Sequence, residues 1–203
     1  MRNRLQQPTE TQAPPAALRQ DRGWLWRTFG WTYLRFSGWR IEGAFPQDPK
    51  LLTVVAPHTS NWDFPLGLAV VFALELRVSW LGKHSLFKAP FKGFLQWLGG
   101  IPVDRRASHG VVGACVAAFE ATPALLLALA PEGTRKGVSQ WKSGFHSIAA
   151  GAGVPIFPVS FDYREHVVRL MPLVWLSGTL ERDLPRIQAL FSRAHGLRER
   201  PEG

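Results

Sequence analysis

From residue 51 onward, short apolar runs alternate with longer stretches of helical character, and this alternation constrains the possible folds more than any other feature of the chain. Residues 51–56 read as a buried strand, 64–76 as a helix, 78–81 as a strand and 85–98 as a helix closed by Gly99 and Gly100. A short strand at 101–103, a helix near 111–121, a strand at 124–130, a helix around 143–150 and a strand at 154–161 continue the rhythm. One or two strands between 167 and 176 and a helix from 184 to about 198 complete it. Successive strands joined by helices lie parallel, because each helix carries the chain back along the face of the sheet. The expected fold is therefore α/β, a mostly parallel central sheet flanked by helices, with ligands outside the carboxyl ends of the strands. A chain of 203 residues with 46% apolar content suits one such domain, taken as residues 41–203.

The amino end is built differently. Residues 1–20 are polar and bear Pro and Gln, a composition expected to stay disordered. Residues 21–40 then carry Trp24, Trp26, Trp31 and Trp39, four of the nine tryptophans, with Arg27, Arg35 and Arg40 alongside. On a helix, Leu25, Trp26, Phe29, Tyr33 and Phe36 share one side, and Arg27, Thr28, Trp31 and Arg35 share the other. An aromatic face opposite a basic one suits an amphipathic helix at the lipid head-group level, where Trp rings and Arg side chains both find partners. Packing on the domain core is the alternative, but Trp24 and Trp31 fall on the basic side, where a core has no use for them.

Charge distribution points the same way. Of the formal net charge of +9, residues 1–40 supply +5, from seven Arg and two acids. Such a balance fits an anionic surface, whether nucleic acid or phospholipid. No DNA- or RNA-reading motif is present and the charge is concentrated ahead of the domain, so an anionic membrane surface is the expected partner and nucleic acid is not. The longest run free of charged and histidine side chains, 147–161, is 15 residues and is broken by Gly151, Gly153, Pro155 and Pro158, short of the roughly 20 apolar residues of a span. Residues 1–20 also lack the apolar core of a secretory signal. Peripheral or monotopic attachment at the cytoplasmic face of a membrane is the resulting expectation. The lone Cys115 forms no intrachain disulfide, fits a reducing compartment and sits in an Ala/Val stretch typical of a buried structural thiol.

His58 and Asp63 stand in a His-x4-Asp spacing, and Glu132-Gly133-Thr134-Arg135 follows. A base held by a carboxylate is half of an acyl-transfer site, and an arginine beside a flexible glycine suits a phosphate. With six His and six Asp in the chain, the spacing alone arises by chance roughly 0.18 times in a sequence of this composition, and the tetrapeptide only about 0.003 times. The ordered combination is therefore the specific signal. His58 follows the strand 51–56, Arg105 follows 101–103 and Arg135 follows 124–130, so separate strand ends can converge on one pocket. Asn61 or Asp63 is positioned to cap the helix beginning near Phe64, with Pro65 in its first turn.

In its motifs the chain resembles the glycerolipid acyltransferases of the lysophosphatidate acyltransferase (PlsC-like) superfamily. Four blocks match in order: Pro57 to Asp63; Gly82-Lys83 through Phe87 and Pro90 to Arg105; Pro131 to Arg135; and Val154 to Val159. The resemblance implies that His58 and Asp63 are catalytic, and that Arg105, Glu132, Gly133, Thr134 and Arg135 bind substrate. It implies no cofactor and no metal, with acyl-CoA or acyl carrier protein as donor and a lysophospholipid as acceptor. In that mechanism His58 takes the acceptor hydroxyl's proton as the oxygen attacks the thioester, and the fourth block lines an acyl channel. Pro57 and Lys136 depart from the family's pattern, an Asn before the His and a hydroxyl after the Arg, which leaves open a lysophosphatidate or a lyso-aminolipid acceptor. Glu132 reads as the orienting partner of Arg135, and Ser60 as a hydrogen-bonding group. A thioesterase or lipase using the same dyad on water, and a basic nucleic-acid-binding module, are the rival readings.

Overall fold

The computed structural model describes residues 13–103, 108–132 and 141–197. Its elements run α1 (Trp24–Phe36), β1 (Arg40–Glu42), β2 (Lys50–Ala56), α2 (Asp63–Ala73), β3 (Val78–Lys83), α3 (Lys92–Trp97), β4 (Gly100–Val103), α4 (Ser108–Ala121), β5 (Leu125–Leu129), α5 (Gly144–Ala152), β6 (Ile156–Asp162), β7 (Val167–Leu170) and α6 (Leu180–Leu190). The strands form one sheet in the order β1-β7-β6-β2-β5-β3-β4, parallel at each pairing except that of β6 with β7. The α/β fold with a mostly parallel sheet is as expected, with the single antiparallel step where the short turn after β6 leaves no room for a crossover.

β2 is central, between β5 and β6, and is covered on both faces, which is why its sequence is a nearly continuous apolar run. Leu52, Val54 and Ala56 pack with Cys115, Phe119, Phe145, Ile148 and Ile187 beneath α4, α5 and α6. Leu51 faces the other layer with Leu66, Ala69, Val70 and Phe157, beneath α2. α2 buries Leu66, Ala69, Val70, Phe72 and Ala73, because the sheet takes one side of it and α1 the other.

α1 packs on α2 through Gly30 and Leu34. A Cβ on Gly30 would lie 2.5 Å from the Ala73 nitrogen and 2.6 Å from the Ala69 oxygen, so only glycine permits this approach. Because the small residues face inward, the aromatic side remains outside: Leu25 is 63% exposed, Phe29 54% and Phe36 85%. Trp26 sits at the seam, with its ring centroid 5.2 Å from that of Trp97 in α3. Among the described residues no helix is long and apolar enough to cross a membrane.

Several boundaries differ from the sequence reading. The helix expected at 85–98 is a 3-10 turn at His84–Leu86 and then the short α3, because Pro90 lacks a donor and biases its predecessor away from helix. Residues 13–20, expected to be part of a disordered tail, instead dock: Leu18 is 1% exposed, Gln20 N donates to Glu75 O at 2.8 Å and Arg77 N donates to Leu18 O at 2.8 Å. One buried leucine and two backbone bonds outweigh a polar composition there. β1, absent from the sequence reading, is too short to show a period and exists by pairing with β7. The last helix begins at Leu180 and ends at Leu190 rather than running from 184 to 198.

α6 is tied to α5 by a buried polar pair. Asp183, fully buried, accepts from the Ser177 backbone N–H at 3.0 Å and lies 3.0 Å from His146 Nε2. Burial works to raise its carboxyl, but the Ser177 and His146 hydrogen bonds and the His146 charge bring it from 3.8 down to about 2. A depressed carboxyl stabilises the fold above its unfolded value, so this contribution is present above pH 3.8 and lost as pH falls through about 2. Urea midpoints measured through that window should drop with acid in the parent protein, and more shallowly in Asp183→Asn. Gly30→Ala should destabilise the fold by about 1–3 kcal/mol in urea unfolding, since backbone rather than a flexible side chain must move.

Candidate active site

The first block sits where β2 leaves the sheet. Pro57 stops the ladder, residues 57–62 form a loop, and Asp63 is the first residue of α2, with Pro65 in the opening turn where a missing donor costs nothing. His58 Nδ1 lies 2.9 Å from Asp63 Oδ2. The same oxygen accepts the Ser60 backbone N–H at 3.0 Å, and Oδ1 accepts the Tyr163 hydroxyl at 2.7 Å. Ser60 Oγ accepts from the Trp62 N–H at 3.1 Å, which braces the loop.

The expected cap does not form from Asp63. Trp62 is the N-cap, without a side-chain cap bond, and the Asp63 carboxylate turns back to the loop. The imidazole, the Ser60 N–H and the phenol already occupy it, and hydrogen bonds to an ionised acceptor are the stronger kind.

The side chain of Asp63 is 1% exposed and that of His58 is 22% exposed. Burial pushes the Asp63 carboxyl upward, but hydrogen bonds from His58, Tyr163 and the Ser60 N–H, with the His58 charge, hold it below the ordinary carboxylate value. A carboxylate so held takes the Nδ1 proton as its hydrogen bond, which puts the basic lone pair of a neutral imidazole on Nε2. The arrangement can therefore accept a proton at Nε2 and stabilise the imidazolium that results.

Glu132, 1% exposed, accepts the His58 backbone N–H at 3.3 Å through Oε2. The third block thus meets the first at the carboxyl end of the sheet, as β2 and β5 are neighbours. Gly133, Thr134 and Arg135 of that block, Lys136 after it, and Arg105 of the second lie outside the described residues. The orientation of Arg135 by Glu132 is among the contacts that fall there.

His58 and Asp63 line a cavity of about 1360 Å3, larger than the roughly 300–1,000 Å3 of most small-molecule sites. Its walls run between the sheet and α2 to Leu74 and Leu76, and also take in Val111 and Val112 of α4 and Phe145 and Ile148 of α5. From the fourth block Phe157 and Val159 face the cavity, while Ile156 faces the opposite core, as strand alternation requires. Tyr163 is the site residue that sequence reasoning missed. It stands 100 positions from its partner, and no spacing rule connects them.

Comparison with known proteins bears on the whole arrangement. A model of the acyltransferase family matches residues 40–162. A 1-acyl-sn-glycerol-3-phosphate acyltransferase from Haemophilus influenzae is 32% identical over 143 residues, covering 66% of this chain and 58% of that protein. Its counterpart from Escherichia coli is 31% identical over 156 residues, 70% of this chain and 62% of that one. The chain thus spans about three fifths of the length of these curated relatives. The crystal structure of the 1-acyl-sn-glycerophosphate acyltransferase PlsC from Thermotoga maritima superposes with a TM-score of 0.57 at 19% identity, over 85% of this chain and 80% of that one, a likeness of fold. With the family match spanning His58, Ser60, Asp63 and Glu132 and stopping one residue short of Tyr163, the chain belongs to the acyltransferase family.

Proposed function

We propose that the protein transfers a fatty acyl chain from acyl-CoA or acyl carrier protein to the hydroxyl of a 1-acyl-glycerol-3-phosphate type lysophospholipid, working at a membrane surface. The observation that carries this reading is the 2.9 Å contact of His58 Nδ1 with Asp63 Oδ2 at the wall of a large apolar cavity. The family match and the names of the relatives support the substrate class.

In this mechanism Nε2 of His58 removes the proton of the acceptor hydroxyl as its oxygen attacks the thioester carbonyl. The tetrahedral intermediate collapses by breaking the carbon–sulfur bond, and the imidazolium returns its proton to the departing thiolate. Asp63 holds the ring in the reactive tautomer and stabilises its positive form. Arg105 and Arg135 grip the acceptor phosphate, with Gly133 and Thr134 shaping that loop, an assignment that rests on the motif resemblance. The apolar cavity takes an acyl chain.

Attachment to an anionic membrane surface, the cytoplasmic one in this reading, is supported by the exposed Leu25, Phe29 and Phe36 of α1, a helix that also exposes Arg27 and Arg35. Scattered exposed apolar side chains are ordinary, but three bulky ones lined up over about three turns of one helix suit a head-group boundary.

His58→Ala should lower transfer from acyl-CoA to lysophosphatidate by roughly 100- to 10,000-fold, the range of general-base assistance. Parent-level transfer in the folded variant would end the dyad mechanism. Mass analysis of products with and without lysolipid separates a transferase from a hydrolase, because a hydrolase releases free fatty acid regardless of acceptor. Sedimentation with phosphatidylglycerol-containing vesicles should fall in a Phe29→Ser, Phe36→Ser double variant that retains its circular dichroism. Undiminished sedimentation would remove α1 from the contact.

A further inference from the structure

The hydroxyl of Tyr163 approaches Asp63 Oδ1 at 2.7 Å, on the side of the carboxylate away from His58. We propose that Tyr163 is a positioning residue for the dyad: its hydroxyl keeps the carboxylate turned so that Oδ2 faces Nδ1 of His58, and sets how strongly the pair holds a proton. This rests on the reading of His58 as the general base.

A buried carboxylate without a donor on one oxygen can rotate about its Cβ–Cγ bond toward any better partner, which would take Oδ2 off the imidazole. Oδ2 is held by His58 Nδ1 and the Ser60 N–H, and Oδ1 by Tyr163. Each oxygen thus has its own donor, from the loop on one side and from the end of β6 on the other. The distance is that of a charge-assisted O–H···O bond.

The phenol is itself fixed. The Trp39 ring meets it edge-on with centroids 4.9 Å apart, and the Tyr163 backbone N–H donates to His195 O at 2.8 Å. Its neighbour Asp162 is locked by Arg169 at 2.9 Å and by the Arg164 and Glu165 N–H groups at 3.0 and 3.2 Å. Ser160 of β6 pairs with Ala56 of β2, so Tyr163 and the His58 loop leave the sheet at the same edge. The ring also lines a small cavity of about 320 Å3 with Tyr33, Trp39, Leu66 and Leu197, where phenylalanine would pack equally well. Only the hydroxyl is specific to Asp63.

Neutrality is what suits a tyrosine to the place. An arginine or lysine on Oδ1 would form a full ion pair and weaken the pull of Asp63 on the imidazolium, whereas a phenol orients the carboxylate without cancelling its charge. Burial, and then the hydrogen bond and charge of Asp63, push the Tyr163 phenol well above its ordinary value, so it remains a donor throughout the working range. The titratable groups around the pair are Glu132 at the His58 backbone, Tyr33 from α1, His166 beside Trp39 on the cavity, and Asp162 with Arg169 and His195 behind the ring. The first three remain in place in the variants below, so their contribution to a pH profile is common to all.

The test is the pH dependence of turnover in the full-length protein with acyl-CoA and lysophosphatidate. Tyr163→Phe should lower kcat about 10- to 100-fold, the usual cost of losing a residue that orients a catalytic group, with KM for both substrates unchanged. With the donor gone the carboxylate is more basic and the pair holds its proton more tightly, so the acid limb should move to higher pH. Replacing Tyr163 with 3-fluorotyrosine, an equally shaped but stronger donor, should move that limb to lower pH. Unchanged kcat in a folded Tyr163→Phe protein, or a fall in kcat with the acid limb unmoved, would reduce Tyr163 to packing and overturn the proposal. Should the phenylalanine variant not fold, the fluorotyrosine shift decides alone. Nitrogen-15 titration of the His58 ring in the same proteins reads the coupling without turnover: a shift there with no transfer activity would sink the acyltransferase reading and leave the Tyr163 role standing.

Discussion

Asp63 has almost no contact with water, and a carboxylate in that position stays charged only where donors replace its lost hydration. Three supply that replacement: the imidazole of His58, the backbone N–H of Ser60 and the hydroxyl of Tyr163. Two come from the loop that Asp63 itself closes, and one comes from the turn after β6, 100 residues away. Once buried, the carboxylate therefore keeps its charge only with β2 and β6 side by side. Everything chemical in the site follows from it, because an ionised Asp63 decides which imidazole nitrogen carries the proton and which is left to take one.

The sheet supplies that adjacency at little cost. Parallel neighbours send their carboxyl ends to the same edge, so β2, β5 and β6 deliver His58, Glu132 and Tyr163 to one place without any long excursion of the chain. The same strands wall the apolar cavity beside α2, and the cavity reaches on to Val111 and Val112 of α4 and Phe145 and Ile148 of α5. Trp39, just beyond α1, then rests on the Tyr163 ring, so the helix with the exposed aromatic face is connected to the dyad through two side chains.

Legibility in the sequence tracked distance along the chain. His58 and Asp63 could be paired on paper because a loop of a few residues returns one to the other. The βαβ rhythm was readable because each strand and helix carries its own period. Pro90 was equally visible, yet the run from 85 to 98 read as one helix because its apolar residues outnumber the single interruption, whereas the backbone obeys the interruption. Leu18 and β1 were hidden because nothing local stabilises them: one is a lone leucine in a polar stretch, the other a strand of three residues held by β7. The covered side of α1 was hidden for a related reason, since Gly30 looks like a weak helix residue and serves as the contact that lets α2 approach.

By itself the sequence determined the class of fold, the order of the elements and the local pairing of an imidazole with an acid, since each rests on periodicity or on a loop too short to permit much else. Tertiary structure decided which side of α1 is covered, which half of the Val154 to Val159 block faces the cavity, and that a tyrosine completes the hydration of the buried acid. Those choices depend on strand order and on close packing between residues far apart in the chain. No local pattern records them, because a contact of that kind costs and gains free energy only once the sheet has assembled.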